Sequence, residues 1–148
     1  MKRFFGVVLV GGLFLSVTLA TAQTVDKAIK YRQSAFAIMG WNFGAIVDMI
    51  KGKREFKEAE FTRRASVVSY MSRIPMEGFA PGSDQGNTKA KAEIWSNSDD
   101  FKALMKQLQT EADALAKVSR DGDFDAAKKQ VVAVGKACKS CHDKYRNK

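Results

Sequence analysis

In 148 residues the chain has one histidine, two cysteines and two prolines. So little cysteine excludes a disulfide-dense scaffold, and a lone histidine excludes a centre built from several imidazoles. No stretch alternates apolar and polar residues as a half-buried strand does, and there is neither an internal repeat nor a low-complexity tract. The length suffices for one domain with its own core and is too short for two. Whatever chemistry the chain performs must use few ligands.

The first 22 residues differ from the rest. Lys2 and Arg3 precede an apolar run from Phe4 to about Leu19, and the small residues Ala20 and Ala22 stand just before Gln23. This pattern predicts a cleaved secretory signal over 1–22, leaving a domain of 23–148. The rival reading, an uncleaved anchor, is disfavoured by Gly6, Gly11, Gly12 and the Ala-x-Ala ending. Cleavage takes the formal net charge from +9 to +7. The expected product is a basic, exported, periplasmic bacterial protein with no membrane attachment.

Both prolines and Gly78, Gly82 and Gly86 fall between 75 and 97, which predicts one long irregular connection. Shorter breaks stand at Lys51–Arg54 and at Arg120–Asp123, where an Asp is available to cap the next segment. Four segments remain, at about 25–51, 56–74, 97–119 and 123–146. In each, apolar residues recur at steps of three and four, the spacing of one helical face. The first seam runs Val25, Ile29, Arg32, Phe36, Met39, Phe43, Ile46, Ile50, and the last Phe124, Ala127, Val131, Val134, Cys138, Cys141, Tyr145. Phe101, Leu104, Leu108, Ala112, Leu115 and Val118 mark the third, and Phe61, Ala65, Val68, Met71 and Ile74 the second. Ser96 with Asp99 fits a capping box for the third helix, with Asn97 or Ser98 as alternative caps. Helices joined short, long, short predict an all-α, antiparallel four-helix bundle whose long loop joins helices 2 and 3.

Cys138-Lys139-Ser140-Cys141-His142 gathers both cysteines and the only histidine into five positions. The spacing C-x-x-C-H suits covalent haem attachment, two thioethers from the sulfurs and an axial imidazole from the adjacent residue. A thioredoxin-like pair would need a βαβ setting that this sequence lacks, and a structural zinc would lack a fourth strong ligand. A plain disulfide would leave His142 a coincidence. One haem c per chain is therefore expected, held by Cys138 and Cys141 with His142 as the metal ligand. On the first seam, Arg32 takes an inward position where an unpaired guanidinium is costly, so a haem propionate is its expected partner, with Gln33 beside it. Alternatively, Arg32 snorkels to water from near the helix end. For the sixth coordination position, Met39, Met49, Met71, Met76 and Met105 are available thioethers, although helical methionines are more often core filling.

The C-terminal haem motif, Tyr31-Arg32-Gln33-Ser34-Ala35-Phe36, Phe79-Ala80-Pro81-Gly82 and Glu93-Ile94-Trp95-Ser96 together resemble the cytochrome c′ family over the whole of 23–148. In low-spin members of that wider group a methionine four residues after the arginine is the sixth ligand. Here the position is Phe36, so the resemblance implies a five-coordinate, high-spin iron with a covered distal side. It implies binding of nitric oxide, with carbon monoxide hindered; no enzyme is expected, because no acid/base pair or nucleophile accompanies the haem motif and a covered distal side lacks the polar group that peroxide activation needs. It also places Arg146 near the proximal imidazole and Phe79, Thr88 and Glu93 along the haem edge. Arg146 can equally be a cation favoured at a helix C-terminus. Gly135 leaves room for porphyrin or eases helix packing.

A second stripe on the first helix, Ile38, Trp41, Ala45 and Met49, suits either a partner or the chain's own loop. The resemblance implies a homodimer built from the first two helices. Lysines 128, 129, 136, 139, 144 and 148 surround the haem helix, a solvated surface or a docking face for acidic redox proteins; no groove-entering motif for nucleic acid is present. The alternative function is a low-spin electron carrier with a methionine sixth ligand.

Overall fold

The structure is a computed structural model that describes the backbone from Leu15 and side chains from Thr24 to Lys148. The expected leader thus lies outside the described residues, apart from backbone at 15–22 that continues the first helix. The helices are α1 (Leu15–Ile50), α2 (Glu58–Met71), the single turn α3 (Glu93–Ser96), α4 (Ser98–Arg120) and α5 (Phe124–Tyr145), with a 3-10 turn at Ile74–Gly78. α1, α2, α4 and α5 form the bundle. No described helix is long and apolar enough to cross a membrane.

The three-four seams face inward as expected. Ile29, Met39 and Ile46 of α1, Phe61, Ala65 and Val68 of α2, Leu108, Ala112 and Leu115 of α4, and Val131 and Val134 of α5 are buried. At one end, fully buried Phe61 meets Phe124 edge-on at 5.9 Å between ring centroids, and Phe56 closes on both at 5.5 and 5.3 Å. Such ring pairs add about 0.5–1.5 kcal/mol each beyond their burial. At the other end Ile94, Phe101, Met105 and Tyr145 form a second apolar cluster.

The helix ends show which local signals operate. Asp123 caps α5, its Oδ1 accepting from the Ala126 N–H at 2.9 Å. Gly122, at φ 77°, turns the chain out of α4 in the left-handed conformation that a glycine adopts without a Cβ penalty. The capping box at α4 does not form. Asn97 is the cap residue but makes no side-chain cap bond, and the Ser96 hydroxyl donates backward to the Glu93 carbonyl. The reason is α3, whose helical turn already commits Ser96.

The 75–97 connection is less irregular than its composition suggests. Besides the 3-10 turn and α3, it makes an antiparallel bridge between Ala90 and Arg146. The Lys91 N–H donates to the Tyr145 carbonyl at 3.0 Å, and the Asn147 N–H to the Lys89 carbonyl at 2.8 Å. These bonds clip the long loop to the C-terminal end of α5. Neighbouring helices pack in the order α1 on α2, α2 on α4 and α4 on α5, whereas α1 and α5 barely touch. What separates that last pair is a cavity.

Candidate functional site

The cavity has a volume of about 480 Å³, within the range of small-molecule and cofactor sites. Its walls come from α1, the long loop, α4 and α5, at the junction of the two apolar clusters. The seam residues that line it, Phe36, Phe43, Leu104, Cys138 and Cys141, are only partly buried because they face this space. An apolar seam left uncovered inside a bundle marks room kept for an apolar group.

Cys138 and Cys141 lie three residues apart on α5, hence on one face, and both are free thiols. Burial raises the Cys138 thiol above its usual range. The same burial, with Cys138 and Asp100 adding smaller contributions, pushes Cys141 up to about 11. Both sulfurs are therefore neutral. His142 stands at the rim, and burial first, then the Arg146 charge, lowers its affinity for a proton. A neutral imidazole is the form that binds a metal. Two neutral sulfurs and a neutral imidazole on one apolar wall fit a porphyrin joined by thioethers and an axial nitrogen.

The opposite wall is α1. Phe36 lines the cavity with its ring edge-on to Phe79 at 6.4 Å, and Phe79 continues to Phe101 at 4.8 Å and Phe101 to Tyr145 at 5.4 Å. This aromatic chain runs from α1 through the loop and α4 to α5. Of the five candidate methionines, Met39 and Met105 reach the cavity, while Met49, Met71 and Met76 do not.

Arg32 is buried, with 2% of its surface exposed, and it is not a snorkelling side chain. Its Nη1 donates to the Gly78 carbonyl at 2.7 Å and the Ser83 hydroxyl at 2.5 Å, and its Nη2 to the Ser83 carbonyl at 2.5 Å and Thr88 Oγ1 at 2.8 Å. The guanidinium also lies 4.6 Å from the centroid of the Phe79 ring. Arg32 lines the cavity, as expected of a residue beside a haem carboxylate. Loop oxygens and an aromatic face satisfy the charge, and a propionate would have to share donors already in use. Desolvation lowers the Arg32 pKa from its usual value, with Asp84 opposing. Gly78 permits the contact, because a Cβ there would fall 2.7 Å from both Arg32 Cβ and the Ala28 carbonyl oxygen.

Gln33 lines the cavity and donates to the Asn87 carbonyl at 2.8 Å. Phe79, Thr88 and Arg146 line it too. Glu93 does not: it is exposed at the start of α3, and the next residue, buried Ile94, faces the cavity instead. A one-residue step on a helical turn swings the side chain through about 100°. Gly135 has only the Phe43 ring tip near its Cβ position, at 3.9 Å, and is not a lining residue. Reasoning from sequence did not assign Leu104, Leu108 and Val134 to the cavity wall; all three lie on the seams already read, so the spacing itself could have found them.

The family described as Cytochrome C′ matches residues 27–146. The chain belongs to the cytochrome c′ family. It is 38% identical over 127 residues to cytochrome c′ of Rubrivivax gelatinosus, covering 85% of this chain and 98% of that one. With cytochrome c′ of Halomonas halodenitrificans the identity is 39%, over 82% and 96% of the two chains. Among solved structures, cytochrome c prime from Shewanella frigidimarina superposes with a TM-score of 0.82 at 43% identity, covering 84% and 97%. A nitric oxide complex of a cytochrome c prime variant from Alcaligenes xylosoxidans gives 0.78 at 34% identity, covering 84% and 96%. Cytochromes c′ are four-helix bundles that bind covalently attached haem c. Cys138, Cys141 and His142 stand together on the α5 wall of the cavity.

Proposed function

We propose that this protein is an exported, periplasmic haem protein whose iron is five-coordinate and high-spin, and that it binds diatomic gases, chiefly nitric oxide, to buffer, carry or sense them. Haem c, when bound, would supply an iron centre able to take such a ligand. The observation that carries the reading is the asymmetry of the cavity. The α5 wall brings two sulfurs and an imidazole, and the α1 wall meets them with Phe36, a side chain with no donor atom. Cys138 and Cys141 would hold the porphyrin and His142 would ligate its iron, and Arg146 lies four residues on, close enough to lower the imidazole's proton affinity. Phe36, braced by Phe79, excludes water and bulky ligands from the other face. Nitric oxide complexes of a relative at 34% identity support the choice of gas. Nothing among these residues pairs an acid with a base or a nucleophile, and the proposed role is not enzymatic.

Absorption spectra of the purified ferric and ferrous protein test this. High-spin bands, with nitric oxide bound more readily than carbon monoxide, are the expected result. A low-spin spectrum with a sulfur-to-iron charge-transfer band would instead establish an electron carrier ligated by Met39 or Met105, the two methionines that reach the cavity. One-electron exchange with acidic redox proteins is a subsidiary role compatible with either spin state.

We also propose a homodimer through α1 and α2. Half of the second α1 stripe is used internally, because Ala45 and Met49 are buried. Ile38 and Trp41 remain 48% and 75% exposed, and Tyr31 and Tyr70 extend the patch to α2. Sedimentation should give twice the chain mass, and Trp41→Glu should give a monomer.

A further inference from the structure

The clip that fastens the long loop to the end of α5 also builds a surface. A shallow depression there is lined by Lys89 and Lys91 from the loop, Arg146, Asn147 and Lys148 from the C-terminus, and His142 and Asp143 from α5. Lys89, His142 and Arg146 line this depression and the haem cavity alike, so the two are continuous at the rim. Among the described residues, none of the four cations makes an ion pair. The Lys91 ammonium donates to the Lys144 carbonyl, and Asp143, the single acid, is already bonded to Lys139. By contrast, Lys128, Lys139 and Lys144, also on α5, are each paired with a carboxylate.

Unpaired cations grouped on one edge create a positive potential that steers an anionic partner, and Lys89, Arg146 and Lys148, which are exposed, lose little by desolvation, while Lys91 is half-buried. No buried polar side chain in the depression is aimed at a small ion, which argues for a broad acidic surface over a free anion. We propose that the Lys89, Lys91, Arg146 and Lys148 edge is the docking surface for the carboxylate-rich face of a one-electron carrier protein. This rests on the haem reading above, since its meaning comes from lying at the mouth of the haem cavity. The exchange involved is one electron from the reduced carrier to ferric haem, or the reverse, with no bond made or broken and no proton moved.

The test uses the haem-loaded protein, labelled with ¹⁵N and titrated with a decaglutamate peptide at low salt. Expected are amide shift changes confined to 89–91 and 142–148, and affinity falling at least tenfold in the double variant Lys91→Glu, Lys148→Glu, neither of which lines the cavity. A control with the same net charge, Lys129→Glu with Lys136→Glu, should bind as the parent does. The neutral pair Lys91→Gln, Lys148→Gln should lie between the parent and the reversed pair. Equal losses in the two reversed pairs, or shifts spread over all lysines, would overturn the proposal by showing that net charge alone acts. Inorganic phosphate competing at the same amides as strongly as the peptide would overturn it in favour of a small-anion site. A colourless preparation that still binds the peptide at this edge would sink the haem reading and leave the docking surface standing. A coloured protein that ignores the peptide does the converse.

Discussion

Arg32 carries the heaviest load of any polar side chain in the described fold. It is a buried cation whose four terminal N–H groups all go to residues 78–88, across 46 to 56 positions of sequence. Its inward register was legible from spacing, but its partners were not, because hydrogen bonds to backbone carbonyls leave no mark in residue identity. Replacing it with Met keeps the bulk and strands the Gly78 and Ser83 carbonyls. A loss on the order of 2–4 kcal/mol is expected, by analogy with other buried polar groups deprived of their partners. Denaturant melts of the haem-loaded variant would read it, and hydrogen exchange should speed up over 78–90 more than in α2. Uniform acceleration across the molecule would mean that Arg32 merely adds general stability. Phe36 makes a separate prediction. Phe36→Ala removes a ring that lines the α1 wall of the cavity, so under the proposed function carbon monoxide association should quicken by about tenfold or more in stopped-flow measurements. An unchanged rate would show that Phe36 does not guard the iron.

At the scale of elements, the seams translate into helices because steps of three and four place side chains on one face whatever the loops do. The boundaries obey local chemistry only where nothing competes. Asp123 had a free first turn in front of it and became the cap of α5, whereas Ser96 was already committed to α3 and could not cap α4. Glu93 was misplaced for a related reason, since the direction of a one-turn helix is set by the loop that delivers it. Here the Lys91 N–H and the Asn147 N–H tether that loop to the end of α5. Asp123→Ala should therefore cost about 1 kcal/mol, roughly 3 °C in melting temperature. Ser96→Ala, by the same logic, should be near neutral. If both changes cost the same, the capping geometry at α5 is not the source of the effect.

For the whole molecule, the helices around α4 are held by carboxylates that titrate at low pH. Asp113 accepts from Arg73 Nη2 at 2.6 Å and from the Ser69 hydroxyl at 2.6 Å, tying α4 to the end of α2. Asp100 accepts from Lys144 and from Tyr145 Oη, tying α4 to α5. Each lies below the usual carboxylate range, Asp113 chiefly through its bond from Arg73 and Asp100 chiefly through its bond from Lys144. A carboxylate whose folded pKa is depressed favours the folded state fully above its unfolded value of about 3.9, and that contribution disappears as pH falls through the folded pKa. Melting temperature should thus fall as pH drops below about 4, while the apolar seams, which do not titrate, keep the helices formed. Asp113 is partly exposed, so its share is modest and sensitive to salt. The gap in melting temperature between the parent and Asp113→Asn should be full at pH 6 and shrink as pH falls below about 4. A gap that does not shrink as pH falls would trace the effect of the substitution to packing at the α2–α4 contact, because loss of the charge would then make no difference.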